Sequence, residues 1–167
     1  IVGLISVPRH SNPSGDIYSD DNILKIFELC SEYSKDLVFL FDHAYLIHDL
    51  PNAPSQSSIW SLAEQAKVLN QTAILTSFSK VTFGGGGLAF FAGGEGTFSL
   101  VKKIRDSMII CPDKVNQLRH VTFFKNKANI MAHMQKHAAI IEPKFELTTS
   151  ICLLYTSDAA DDGTGVD

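Results

Sequence analysis

Lys80 closes the tetrapeptide Ser77-Phe78-Ser79-Lys80, which follows the apolar run Ala73-Ile74-Leu75-Thr76. A lysine at the end of a buried strand, among small hydroxyl residues, is placed for nucleophilic work. Desolvation strips the charge from such an amine, and the neutral form can make a Schiff base with a carbonyl compound. The alternative is a solvent-facing lysine in a strand-to-loop turn, the ordinary state of this residue type. Two further polar groups stand just past apolar runs. Asn12 follows residues 1–7, and Pro13 keeps its backbone extended so that the carboxamide is displayed. Asp42 ends the run Leu37-Val38-Phe39-Leu40-Phe41, and Tyr45 lies three residues beyond it.

The elements that must position these groups alternate along the chain. Residues 1–7 form a β-rich run that breaks at Pro8, and Ser19-Asp20-Asp21 then caps a helix with Ile23, Leu24, Ile26, Phe27 and Cys30 at helical spacing. Residues 37–41 show no polar alternation, which predicts a strand covered on both faces. A loop rich in proline and serine leads to a helical pattern over 58–69, and the strand before Lys80 follows. The glycine run 84–87 opens into another apolar strand at 88–92, and helices are expected over 97–107, 114–124 and 127–144. Strand, helix, strand, helix, strand predicts an α/β fold with a mostly parallel sheet flanked by helices.

Ligands of open α/β sheets gather beyond the carboxyl ends of the strands, where Asn12, Asp42 and Lys80 would share one crevice. That set suits pyridoxal 5'-phosphate: a lysine to hold the aldehyde, an acid for the pyridine nitrogen, and neutral donors for the ring hydroxyl. Gly84 to Gly87 could bring backbone N–H groups to a phosphate or form a flexible turn. No G-K-[ST] follows these glycines, so they are not a nucleotide-binding P-loop. Arg119 is a second candidate for an anion, either phosphate or a substrate carboxylate, against the alternative of a surface arginine on a helix. His43 and His48 read as loop residues or as supports behind the site rather than as catalytic groups. His133 and His137 lie four apart on a helical segment and read as packed or solvated side chains rather than metal ligands.

Three motifs in order, His10-Ser11-Asn12-Pro13-Ser14-Gly15, Asp42-His43-Ala44-Tyr45 and Ser77-Phe78-Ser79-Lys80, resemble the N-P-[ST]-G, D-x-A-Y and S-x-S-K signatures of fold-type I pyridoxal-phosphate aminotransferases. The segment Pro112-Asp113-Lys114-Val115-Asn116-Gln117-Leu118-Arg119-His120 is similar to one in a divergent bacterial aspartate-aminotransferase-like subgroup, as are Met131-Ala132-His133-Met134 and Pro143-Lys144-Phe145. The resemblance implies a partial cofactor-binding large domain over residues 1–150, running into the start of a small domain. It implies Lys80 as the Schiff-base lysine and proton-shuttling base, and Asp42 as the partner of the ring nitrogen. It also implies Asn12 and Tyr45 as donors to the ring oxygen and Ser77 as a phosphate ligand. The substrates would be an amino acid, aspartate or glutamate by preference, and a 2-oxo acid, in a homodimer. The pattern departs from the family at Leu88, where many members carry a phosphate-binding arginine. A lyase or decarboxylase on the same fold would keep these residues, and so would a cofactor-sensing module of a transcription regulator.

A net charge of −4 and a pI near 5.8 leave no basic footprint for nucleic acid. No apolar run reaches the roughly 18 residues of a membrane span. Cys30, Cys111 and Cys152 are odd in number and far apart, which suits a reducing compartment and a cytoplasmic location. Ile1-Val2-Gly3 begins without a methionine or signal peptide, so an internal fragment is expected. Residues 152–161 resemble the translation of a sequencing adapter, and the acidic stretch 151–167 is expected to be non-native or, if genuine, disordered.

Overall fold

The computed structural model of the protein describes residues 3–161, with side chains described through Leu153. Ile1 and Val2 of the first expected strand, and residues 162–167 of the expected tail, lie outside the described residues. The sheet has four strands in the order β1 (Gly3–Ser6), β2 (Val38–Asp42), β3 (Thr72–Ser77) and β4 (Ala89–Gly93). The first three are parallel, with Leu4 opposite Phe39 and Asp42 opposite Leu75, and β4 runs antiparallel beside β3. The mostly parallel α/β class expected from the alternation is the class observed.

Helices α1 (Asp20–Tyr33) and α2 (Ile59–Gln65) make the two crossovers. Ser19 caps α1 as its sequence predicts, its Oγ accepting the Asn22 N–H at 3.2 Å, while Asp20 and Asp21 face the positive end of the helix dipole. Phe27 of α1 meets Phe39 and Phe41 edge to face, at centroid distances of 4.8 and 5.7 Å. Burying a ring of this size contributes about 1.5–3 kcal/mol. Leu62 and Ala63 of α2 join the same core, so both crossover helices cover one face of the sheet.

That placement corrects the expectation for residues 37–41. Phe39 and Phe41 are buried, but Val38 is 37% exposed and Leu40 half-buried, because no crossover helix lies over their face. On that side Phe91 of β4 stacks on Phe98 of α3 (Glu95–Met108), with centroids 6.3 Å apart. The expected helix over 58–69 is also shorter. It stops before Lys67, which takes φ +60°, and a 3-10 turn, Leu69–Gln71, enters β3.

Helix α4 (Lys114–Phe124) is capped by Asp113, whose carboxylate accepts the Asn116 N–H at 3.0 Å. Helix α5 (Lys127–Asp161) does not end at Lys144, and the acidic segment after Ser150 is helical to Asp161 rather than disordered. A proline inside a helix forfeits one N–H and crowds the preceding turn. Here Pro143 is flanked by the helix formers Glu142, Lys144, Glu146 and Leu147, and Thr148 and Ser150 return hydroxyl bonds to Lys144 and Leu147 carbonyls.

Candidate active site

Asp42 is the last residue of β2, half-buried, and its Oδ1 accepts the Ala44 N–H at 2.9 Å. Its Oδ2 has no hydrogen-bond partner among the described residues, so one carboxylate oxygen stays available. The turn beyond is tied to β3: the His43 N–H donates to the Leu75 carbonyl at 2.7 Å, and the Thr76 hydroxyl donates to the His43 carbonyl at 3.0 Å. His43 is buried with Nδ1 unpartnered. Burial pushes its pKa down, partly opposed by the Asp42 charge and reinforced by Arg9. Asp42 therefore stands beside an imidazole disposed to stay neutral. Tyr45 is half-buried on the same turn, its ring edge-on to His48 at 5.6 Å.

β3 ends at Ser77, and the chain then makes a single helical turn. The Phe78 carbonyl accepts the N–H groups of Val81 and Thr82 at 3.0 and 2.9 Å, and Ser77 Oγ lies 3.4 Å from the Ser79 N–H. Lys80 rides on this turn with its side chain exposed, while the next residue, Val81, is buried between Phe124 and Met134. A desolvated lysine is thus not what the chain presents. The amine is in water, and its anchor is the neighbour.

The glycine run packs against this turn. The Phe78 N–H donates to the Leu88 carbonyl at 2.8 Å, and a Cβ on Gly87 would fall 2.4 Å from Ser79 Oγ, so no larger residue fits there. Gly85 takes φ +79°.

Asn12 lies apart, exposed on the loop between β1 and α1, its peptide bond to Pro13 cis. That loop is fastened at its base. Buried Arg9 donates to Asp49 Oδ1 at 2.8 Å and to the Pro54 carbonyl at 3.1 Å, and His10 Nε2 reaches the same Asp49 oxygen at 2.8 Å. Burial alone would raise the Asp49 pKa, but the bonds from Arg9 and His10 outweigh it and hold the carboxyl below its ordinary value.

Arg119 is exposed on α4 and lines a cleft of about 360 Å³ with Thr82, Phe83, His120, Phe123 and His133. The cleft adjoins the far side of the lysine turn, and none of Asn12, Asp42 or Tyr45 lines it. Sequence reasoning set His48, His120 and His133 aside or passed them over, yet all three touch the lysine turn. Their contacts span 32 to 52 residues of chain, so no local spacing could have flagged them. Among the described residues no cluster of His, Cys, Asp and Glu could hold a metal ion.

A mostly parallel sheet flanked by helices is the frame of the fold-type I transferases. The chain belongs to the aspartate amino-transferase family, whose sequence profile matches residues 1–161. A Mycolicibacterium smegmatis relative described as an aminotransferase is 35% identical over 152 residues, covering 90% of this chain and 35% of the relative. The aspartate aminotransferase of Corynebacterium glutamicum is 32% identical over 152 residues, with the same two shares. The crystal structure of a Corynebacterium diphtheriae protein described as an aminotransferase superposes with a TM-score of 0.82 at 33% identity, covering 90% of this chain and 37% of that one. The chain spans about a third of the length of these relatives.

Proposed function

We propose that this chain is the lysine-bearing part of a pyridoxal-phosphate-dependent aminotransferase that moves an amino group from an amino acid to a 2-oxo acid. The observation that carries this reading is the placement of Asp42 at the carboxyl end of β2 and of Lys80 just past that of the adjacent parallel β3, each beside a turn fixed by its own hydrogen bonds. The residues fit the cofactor in kind. Asp42 keeps one carboxylate oxygen unpartnered, Lys80 offers an amine to solvent, and the close approach of Gly87 to Ser79 shapes a narrow backbone cradle beside Ser77.

In this reading Lys80 holds the cofactor through Nζ and later moves a proton at the substrate α-carbon. Asp42 keeps the pyridine nitrogen protonated by a charge-assisted bond. Asn12 and Tyr45 donate to the ring oxygen, and Ser77 with neighbouring N–H groups binds the phosphate. When bound, the cofactor supplies the electron sink that makes loss of the α-proton feasible. Arg119 is a candidate for an anion, either phosphate or a substrate carboxylate. The family, and the aspartate aminotransferase among the relatives, support aspartate or glutamate as the amino donor. A cytoplasmic homodimer completes the proposal. The apolar side chains exposed on α4, among them Leu118 and Val121, support the dimer, and no helix among the described residues is long and apolar enough to cross a membrane.

The test uses the full-length protein encoded by the gene, loaded with pyridoxal phosphate. A visible absorption band should appear, borohydride should fix the cofactor on Lys80, and Lys80→Ala should lose transamination by about three orders of magnitude or more. Asp42→Asn should lower kcat far more than cofactor occupancy. Labelling at another lysine, or normal turnover by Asp42→Asn, would sink the assignment.

A further inference from the structure

Lys80 and the two residues after it are each held from outside by a histidine. His48 Nε2 lies 3.2 Å from the Lys80 carbonyl oxygen, His133 Nε2 lies 2.9 Å from the Val81 carbonyl oxygen, and His120 Nε2 lies 3.0 Å from Thr82 Oγ1. They arrive from three places: the loop after β2, helix α5 and helix α4. A carbonyl oxygen only accepts, so Nε2 carries the proton in His48 and His133. His120 Nδ1 faces the Asn116 carbonyl at 2.9 Å and donates there, while its Nε2 faces a Thr82 hydroxyl whose one hydrogen also has the Phe78 carbonyl within reach, at 3.0 Å.

Each imidazole is also wedged by an aromatic ring. Tyr45 meets His48 edge-on at 5.6 Å, Phe78 stacks on His120 at 5.6 Å, and Phe124 stands against His133 at 5.5 Å. A ring held this way keeps its nitrogens in one direction, so the N–H groups of His48 and His133 act as fixed struts and His120 as a third contact.

We infer that His48, His120 and His133 are positioning residues for Lys80, a three-point collar that sets the direction in which the turn presents its amine. This rests on the reading of Lys80 as the cofactor-bearing lysine. The collar joins the turn to the Tyr45 loop on one side and to α4 and α5 on the other. Lys80 is exposed, and beyond the turn's own bonds to Phe78 it is anchored by the buried Val81 beside it. The three imidazoles act through the turn itself, at the carbonyls of Lys80 and Val81 and the hydroxyl of Thr82.

The experiment compares His48→Phe and His133→Phe, which keep a ring but lose the N–H, with His48→Gln and His133→Gln, which retain a donor of similar reach. The first readout is amide hydrogen exchange at Val81 and Thr82 in cofactor-free full-length protein, since both N–H groups close the turn onto Phe78. The Phe variants should exchange faster there by about five- to tenfold, the loss of one hydrogen bond. The second readout is kinetic: kcat should fall about tenfold in the Phe variants while KM for the amino acid stays within about twofold, the mark of a misplaced group rather than weakened binding. The Gln variants should recover most of both. The inference is overturned if Gln is no better than Phe, if the Phe variants exchange and turn over like wild type, or if only KM moves. A Phe variant without a cooperative melt would make its histidine a core residue and equally overturn the role. If borohydride labels no Lys80 in wild type, the aminotransferase reading falls, while the exchange measurement still decides whether the histidines hold the turn.

Discussion

The two halves of the chain are held together by different forces. Around β1, β2 and β3, nine buried apolar residues from α1, β2, α2 and the segments that adjoin them form one continuous core. In the helical half, α3 buries no residue, and the second cluster reduces to Val81, Phe124 and Met134. Polar contacts fill the gap: besides the histidines, buried Asn116 donates to the Gly86 carbonyl at 2.5 Å. Burial is non-directional and grows with area, whereas a hydrogen bond fixes direction at a net contribution of about 1 kcal/mol. The Asp42 side of the site is therefore set by a solid core, and the far side of the lysine turn by oriented bonds that contribute modestly to stability.

The sharpest way to break this contrast is to cut a ring from each half of the full-length protein. Phe27→Ala removes the partner of both Phe39 and Phe41 and should cost about 3–5 kcal/mol, lowering the urea midpoint of the whole unit. Phe124→Ala should instead raise hydrogen exchange in α4 and α5 while the exchange of β2 and β3 stays slow. Equal loss of protection in β2 from both variants would show that the halves share one core.

A smaller effect is expected at the clamp between the first two loops. Because the Asp49 carboxyl is held below its ordinary pKa, its contribution is present above about pH 4, where the unfolded carboxyl is already ionised, and is lost as pH falls through the folded value. Asp49→Asn should cost about 1 kcal/mol at neutral pH and flatten the acid limb of the melting curve. An unchanged acid limb would remove the clamp from the account.

The smallest effect concerns His43. Burial lowers its pKa in the folded chain, so the unfolded state binds the extra proton first. The associated stability is complete above about pH 6.5 and declines as pH falls toward the folded value. His43→Gln should shrink the drop in Tm between pH 7 and pH 5. A drop as large as that of wild type would place the responsible proton elsewhere.

Much of the sheet was legible because apolar runs and caps are local signals. Ser19 caps where its residue type and the hydrophobic spacing place it, and Asp42 ends its strand and Lys80 follows its own because the runs before them are unbroken. What the sequence hid depends on long-range placement. The open side of β2 follows from α1 and α2 sharing one face, which no property of residues 37–41 records. The helix expected over 127–144 runs on to Asp161, because the strong helix formers around Pro143 carry it past that residue. The histidines that meet the lysine turn come from the loop after β2 and from α4 and α5, 32 to 52 residues away along the chain.

The antiparallel return of β4 also bears on how the sheet is assembled. Ser77 pairs with Ala89 across a short connection, whereas Gly3 must find Val38, and Phe39 must find Thr72, through whole helices. Loop-closure entropy grows with the logarithm of the intervening length, so each parallel crossover costs roughly 1 kcal/mol more to close than this hairpin. Lys80 thus sits inside the least entropically demanding closure of the sheet, on a turn whose ends are brought together by near neighbours in sequence.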